Sequence, residues 1–150
     1  MSDFRRLSQS VLASPQITTA DLAAAADRGV TLVINNRPDG EAPDEPQGTE
    51  IEAAARALGM DYVAIPITHA GFSAPQVAAM RQALDNAAGP VLAYCRSGTR
   101  STLLWSLAQA QAGIDPDEIA GAAQSAGYDV SPVRQVMDVM AAQARGQSAV

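Results

Sequence analysis

Hydrophobic positions along this chain alternate between short unbroken runs and longer stretches with helical spacing. Val30-Thr31-Leu32-Val33-Ile34, Tyr62-Val63-Ala64-Ile65-Pro66-Ile67 and Pro90-Val91-Leu92-Ala93-Tyr94 are apolar, rich in β-branched residues and too short for helices. Each predicts a strand, and the first, β-branched and nearly unbroken, predicts one covered on both faces. Proline lacks an amide donor, so Pro66 marks either an edge strand or a strand end. Between the runs, Leu22, Ala25 and Ala26 form a helical face from Thr18 or Thr19 as N-cap to Gly29 as stop. Ile51, Ala54, Ala55 and Leu58 are the expected buried face of a helix over Glu50–Leu58, stopped by Gly59. Ser73 and Gln76 read as a capping box, opening a helix with Val77, Met80 and Leu84 that runs to Gly89. Residues 1–15 are weakly patterned, with Val11-Leu12-Ala13 predicting an edge strand.

After Tyr94 the pattern is purely helical. The first helix carries Leu103, Leu104 and Leu107 and ends at Gly113. The second opens with Asp115, Pro116 and Glu118 and stops near Gly127; the third opens at Ser131-Pro132 and presents Val133, Val136, Met137 and Met140. Proline just inside a cap is the favoured arrangement. Trp105 and the C-terminal methionines sit at helical spacing and read as core rather than as a cofactor box.

Strands alternating with helices predict an α/β fold: a parallel sheet with right-handed crossovers and a helical C-terminal cap. One domain is expected over residues 1–150, with 146–150 as a flexible tail. In such sheets the loops after the strand C-termini share one edge, where ligands bind. Asn35–Glu41, Thr68–Phe72 and Cys95–Ser101 are therefore expected to converge, with 42–48 as a surface loop.

Composition narrows the chemistry. The net charge is −6 and all ten cations are scattered arginines, so no basic tract offers a footprint for nucleic acid or a membrane surface. One cysteine excludes an internal disulfide framework, and one histidine leaves a metal cluster short of ligands, so neither metal nor cofactor is expected. Without an apolar stretch of signal or membrane-span length, the expected location is cytoplasmic.

The richest stretch is Cys95-Arg96-Ser97-Gly98-Thr99-Arg100-Ser101. A strand, a small-residue loop and a helix N-terminus together form an anion cradle, where amide groups and the helix dipole favour negative charge. A cysteine at the mouth of such a hollow is set up as a thiolate nucleophile; the alternative is a small hydrophobic core residue. Arg96 and Arg100 suit binding of a tetrahedral oxyanion or sulfonyl group. Gly98 permits a positive φ or close ligand approach. Ser97, Thr99 and Ser101 read as ligand-binding positions; Thr99 and Ser101 read equally as helix caps. On the neighbouring loop, a Pro-Asp-Gly turn accounts for Asp39 and Gly40. It does not account for Arg37, which with Asn36 reads as part of the pocket wall.

The Cys95–Ser101 motif, with Ile34-Asn35-Asn36-Arg37-Pro38-Asp39-Gly40-Glu41 upstream, resembles the β-lactamase-hydrolase-like protein, phosphatase-like domain family from about Gln16 to Leu107. The resemblance implies a dual-specificity or tyrosine-phosphatase-like fold. It also implies either phosphatase chemistry or the sulfurtransferase role assigned to members fused to a persulfide dioxygenase. Cysteine phosphatases place five residues between cysteine and arginine, whereas four separate Cys95 from Arg100. One residue of shift at a helix start turns a side chain by about 100°. The shorter loop resembles that of rhodaneses. No Asp or Glu lies between Asp61 and Asp85, and His69 falls where the phosphatase acid is expected.

The favoured expectation is sulfur transfer from thiosulfate or a persulfide through a Cys95 persulfide, with a thiol acceptor and a persulfide dioxygenase as a partner. The alternative is phosphomonoester hydrolysis through a phosphocysteine, with His69 or water assisting the leaving group. A non-catalytic module binding an anion or a partner is the third.

Overall fold

The structure is a computed structural model that describes residues 2–41, 46–68 and 70–146. Its centre is a five-stranded sheet in the order β1-β2-β5-β3-β4. The strands are β1 (Arg5–Arg6), β2 (Val11–Ser14), β3 (Leu32–Asn35), β4 (Asp61–Ala64) and β5 (Val91–Tyr94). β2, β5, β3 and β4 run parallel, and β1 pairs antiparallel with β2.

Alternation along the strands explains the layers, because successive side chains point to opposite faces. Leu12, Val33, Leu92 and Tyr94 pack with Leu22 and Ala25 of α1 (Thr19–Asp27) and Ile51 and Ala55 of α2 (Gly48–Ala57). Val11, Ala13, Leu32, Ile34, Val91 and Ala93 face the opposite way. There they meet α3 (Ala74–Asn86), α4 (Thr99–Gln111), α5 (Pro116–Ser125) and α6 (Arg134–Gly146). Local signals set the helix starts. Thr18 and Ser73 both close capping boxes, and the Asp115 side chain accepts from the Asp117 amide. The last helix is entered through a 3-10 turn over Ser131–Val133.

Four expectations need correction. The Val11–Ala13 strand is interior, because the Arg5–Arg6 strand covers its outer edge. The N-terminal stretch is accordingly part of the sheet, and Leu7 joins the core. Leu58 follows α2 as its C-cap and is exposed rather than buried. The strand expected over residues 62–67 ends at Ala64, two residues before Pro66, and β4 is the sheet edge. Of the tail expected over 146–150, Gly146 is the last residue of α6, and 147–150 lie outside the described residues.

The register brings the strand ends level. Ser14, Asn35 and Tyr94 pair across the three inner strands, and Asn35 also pairs with Ala64. Whatever follows these residues must emerge at one edge.

Candidate active site

Four segments leave that edge, and backbone hydrogen bonds continue between them. The Cys95 amide donates to the Ser14 carbonyl at 3.3 Å, the Asn36 amide to Tyr94 at 2.8 Å, and the Ile67 amide to Asn36 at 3.0 Å. Gln16 donates its amide to Arg96 at 3.2 Å. The three expected loops therefore converge, joined by the Pro15-Gln16 segment after β2.

Cys95 is fully buried, beneath the loop rather than at the mouth of a hollow. Burial alone would suit a core residue, but its surroundings are polar. The Gly98 amide donates to Sγ at 3.1 Å. The Arg100 pKa is raised, chiefly by its hydrogen bonds to Glu41, with a smaller contribution from the nearby Cys95. Gly98 makes this geometry possible with a φ of 92°, a left-handed conformation that costs a residue with a Cβ about 1–2 kcal/mol. It is also the N-cap of α4, so the helix begins four residues after Cys95.

The loop is held from above by Tyr128, whose hydroxyl donates to the Ser97 carbonyl at 3.2 Å. The Arg5 guanidinium lies 5.2 Å from the Tyr128 ring centroid. Burial pushes the Tyr128 pKa up; the Cys95 charge adds to the rise and Arg5 opposes it. Ser97 Oγ donates to Thr99 Oγ1 at 2.9 Å, and neither Thr99 nor Ser101 caps α4, whose N-cap is Gly98 with no side-chain cap hydrogen bond. Ser101 is buried with no hydrogen-bond partner for its hydroxyl, and Arg96 is exposed.

Arg100 is anchored by Glu41. Nη1 donates to Glu41 Oε2 at 2.7 Å and to the Ile67 carbonyl at 2.8 Å, and Nη2 donates to Glu41 Oε1 at 2.8 Å. Arg37 is buried and reaches the same carboxylate, Nε to Oε1 at 2.9 Å. The two guanidinium groups, Arg100 foremost, hold the Glu41 pKa down at about 2. Glu41, Thr68, Arg96 and Arg100 line an open hollow of about 410 Å³.

Asn36 is buried, donating its side-chain amide to the Ile65 carbonyl at 3.0 Å and leaving Oδ1 unpartnered. Asn35 shapes the turn, accepting the Arg37 amide on Oδ1 at 2.9 Å. His69 lies outside the described residues. Among the described residues, no group of three or more His, Cys, Asp or Glu side chains is placed to hold a metal ion.

Cys95, Arg100 and Gly98 thus meet, and Arg37 joins Arg100 through a carboxylate. Glu41, Gln16 and Tyr128 were not singled out as site residues from the sequence. Glu41 stood in the quoted upstream motif, next to the Pro-Asp-Gly turn. Tyr128 carries no local signal.

Comparison with known proteins supports the same architecture. Beta-lactamase hydrolase-like protein of Agrobacterium fabrum strain C58 is 34% identical over 126 residues, which cover 83% of this chain and 29% of that protein. This chain therefore matches less than a third of the length of that relative. The crystal structure of a candidate phosphatase from Neisseria meningitidis z2491 superposes with a TM-score of 0.82 at 34% identity, covering 93% of this chain and 99% of that one. Tk-PTP in its active form has the same fold, with a TM-score of 0.70 at 15% identity over 93% of this chain and 96% of its own. The 34% identical Neisseria structure is described as a candidate phosphatase, and none of these three names mentions sulfur transfer. Residues 3–112 match the sequence profile of one family, and the chain belongs to it: Beta-lactamase hydrolase-like protein, phosphatase-like domain.

Proposed function

We propose that this chain is a cysteine-dependent enzyme in which Cys95 carries a group taken from a small sulfur or phosphorus anion. The observation that carries this reading is a fully buried sulfur that accepts the Gly98 amide at 3.1 Å at the N-terminus of α4. Fixed donors aimed at a charged atom in a water-poor site need little reorganisation during reaction. With Cys95 fully buried, the loop must open before substrate reaches the sulfur.

The reaction we favour on the geometry is sulfur transfer. The Cys95 thiolate attacks the outer sulfur of thiosulfate; the S–S bond breaks and sulfite leaves with its electron pair. The resulting persulfide then gives its terminal sulfur to an acceptor thiolate, restoring Cys95 as a thiolate. Neither step needs an acid for an alkoxide leaving group, which suits a chain with no Asp or Glu between Asp61 and Asp85. The loop that reaches helix α4 within four residues suits a single sulfur atom. The proposed partners are a thiol acceptor and, from the resemblance alone, a persulfide dioxygenase.

The second reading is phosphomonoester hydrolysis, which the phosphatase-like relatives favour. Cys95 would displace the ester oxygen from phosphorus, the leaving oxygen taking a proton from His69 or water. Water would then cleave the phosphocysteine. Here Arg100 binds phosphoryl oxygens, and Arg96 is the exposed cation nearest in sequence to Cys95.

One paired assay separates the readings. Purified protein and its Cys95→Ser variant are offered thiosulfate with cyanide as acceptor, and separately an aryl phosphate. Cys95-dependent thiocyanate formation with little phosphate release is expected, and the reverse pattern establishes the phosphatase reading. Loss of neither reaction on Cys95→Ser, or absence of both, refutes the cysteine enzyme and leaves an anion-binding module.

A further inference from the structure

We propose that Glu41 is a positioning residue: it turns the open edge of the Arg100 guanidinium toward Cys95 and so sets the anion grip of the loop. The inference rests on the reading of that loop as an anion cradle, and goes beyond it by assigning the carboxylate's part.

A guanidinium has five N–H donors in one plane. In Arg100, both Nη1 hydrogens and one Nη2 hydrogen are committed to Glu41 and the Ile67 carbonyl. The two that remain, on Nε and Nη2, lie along a single edge of the plane. Two parallel donors of this kind match two oxygens of a tetrahedral oxyanion. With the other edge fixed to Glu41 and Ile67, the orientation of the open one is decided before any ligand arrives.

Glu41 can do this because it is itself held. Its Oε1 accepts from Arg37 Nε at 2.9 Å, and Arg37 Nη1 donates to Gln16 Oε1 at 2.9 Å. The Arg37 backbone amide is fixed to Asn35 Oδ1. The carboxylate is thereby tied to the ends of β2 and β3, which are in register with the strand that delivers Cys95. A relay from Gln16 through Arg37 and Glu41 to Arg100 spans three of the converging segments.

The four-residue spacing gives this relay its purpose. Arg100 is the second residue of α4, and a side chain there points about 100° away from its neighbour in sequence. A residue on another loop must then fix its direction. Glutamine would offer one acceptor oxygen where the bidentate pair uses two.

The same carboxylate also borders the 410 Å³ hollow, so it could instead compete with an incoming anion for Arg100. That role predicts the opposite sign, and a titration decides. Inorganic phosphate and sulfate, neither of which is consumed, are titrated calorimetrically into wild type, Glu41→Ala, Arg100→Ala and the double variant. Each single substitution is expected to weaken binding by about tenfold or more, the scale of one charge-assisted hydrogen bond. The double variant should bind no more weakly than Arg100→Ala, because Glu41 acts through Arg100.

Glu41→Gln should fall between wild type and Glu41→Ala, and reads the same quantity if alanine unfolds the loop. Unchanged or tighter binding in the folded Glu41 variants overturns the proposal. So do fully additive losses, or absence of binding by wild type. The titration involves no turnover. If the paired assay shows no Cys95 chemistry while this pattern holds, the enzymatic reading fails and the positioning role stands.

Discussion

Replacing Gly98 by alanine strains the candidate site at two points. The backbone φ of 92° places the new residue in the left-handed region, at about 1–2 kcal/mol. The added Cβ would also overlap the Tyr128 hydroxyl, lying 2.9 Å from its Cζ and 3.3 Å from the Ser14 carbonyl carbon. The Ser14 contact is with sheet backbone, which cannot yield cheaply, so the tyrosine must move. Moving it forfeits the hydrogen bond to the Ser97 carbonyl, worth about 0.5–1.5 kcal/mol net. The expected total is about 1.5–3.5 kcal/mol, a sizeable share of the roughly 5–15 kcal/mol that stabilises a domain.

Urea denaturation followed by circular dichroism measures this directly, as a lower midpoint at an unchanged slope. A Tyr128→Phe background separates the two causes. Removing the hydroxyl relieves its overlap but leaves the backbone strain, so Gly98→Ala should cost about 1 kcal/mol less there. A cost below about 0.5 kcal/mol in the wild-type background, or an equal cost in both, refutes the reasoning.

Three further outcomes are expected. Glu41 ionises at about 2 when folded against an ordinary 4.5, so its stabilisation is complete above about pH 4.5 and disappears as pH falls through about 2. Solvent screening limits it to about 1–2 kcal/mol, and Glu41→Gln should remove that part of the acid dependence in denaturation midpoints measured between pH 5 and 2; parallel curves would contradict it. Thr18→Ala breaks the capping box of α1, in which the Asp21 amide meets Thr18 Oγ1 at 3.3 Å, and should cost about 1 kcal/mol in the same unfolding assay. Leu104→Ala empties a fully buried position beneath the sheet and should cost about 2–5 kcal/mol, whereas Leu58→Ala, at an exposed helix end, should stay within about 0.5 kcal/mol.

Much of the fold is legible because its signals are local. An unbroken apolar run, a Thr or Ser with Asp or Gln three residues on, and a glycine at a helix stop act within a few residues of themselves. That places Cys95 at a strand end before a helix without any knowledge of what surrounds it. The parallel order follows from helices between the strands, and the convergence of loops follows from the parallel order.

The remainder depended on contacts between distant segments. β2 is interior because the two-residue strand Arg5–Arg6, too short to show periodicity, pairs along its outer edge. Leu58 has the right spacing for the core but follows the last turn of its helix, beyond the sheet that would cover it. Arg100 meets Glu41 across 59 residues of sequence, and Tyr128 meets Ser97 across 31. The chain by itself determined which residues could carry charge and a nucleophile to the sheet edge. Only the tertiary structure decided how they pair, because a charged side chain takes its partner from whatever lies within about 3 Å in space. Neighbours in sequence did not foretell those partners.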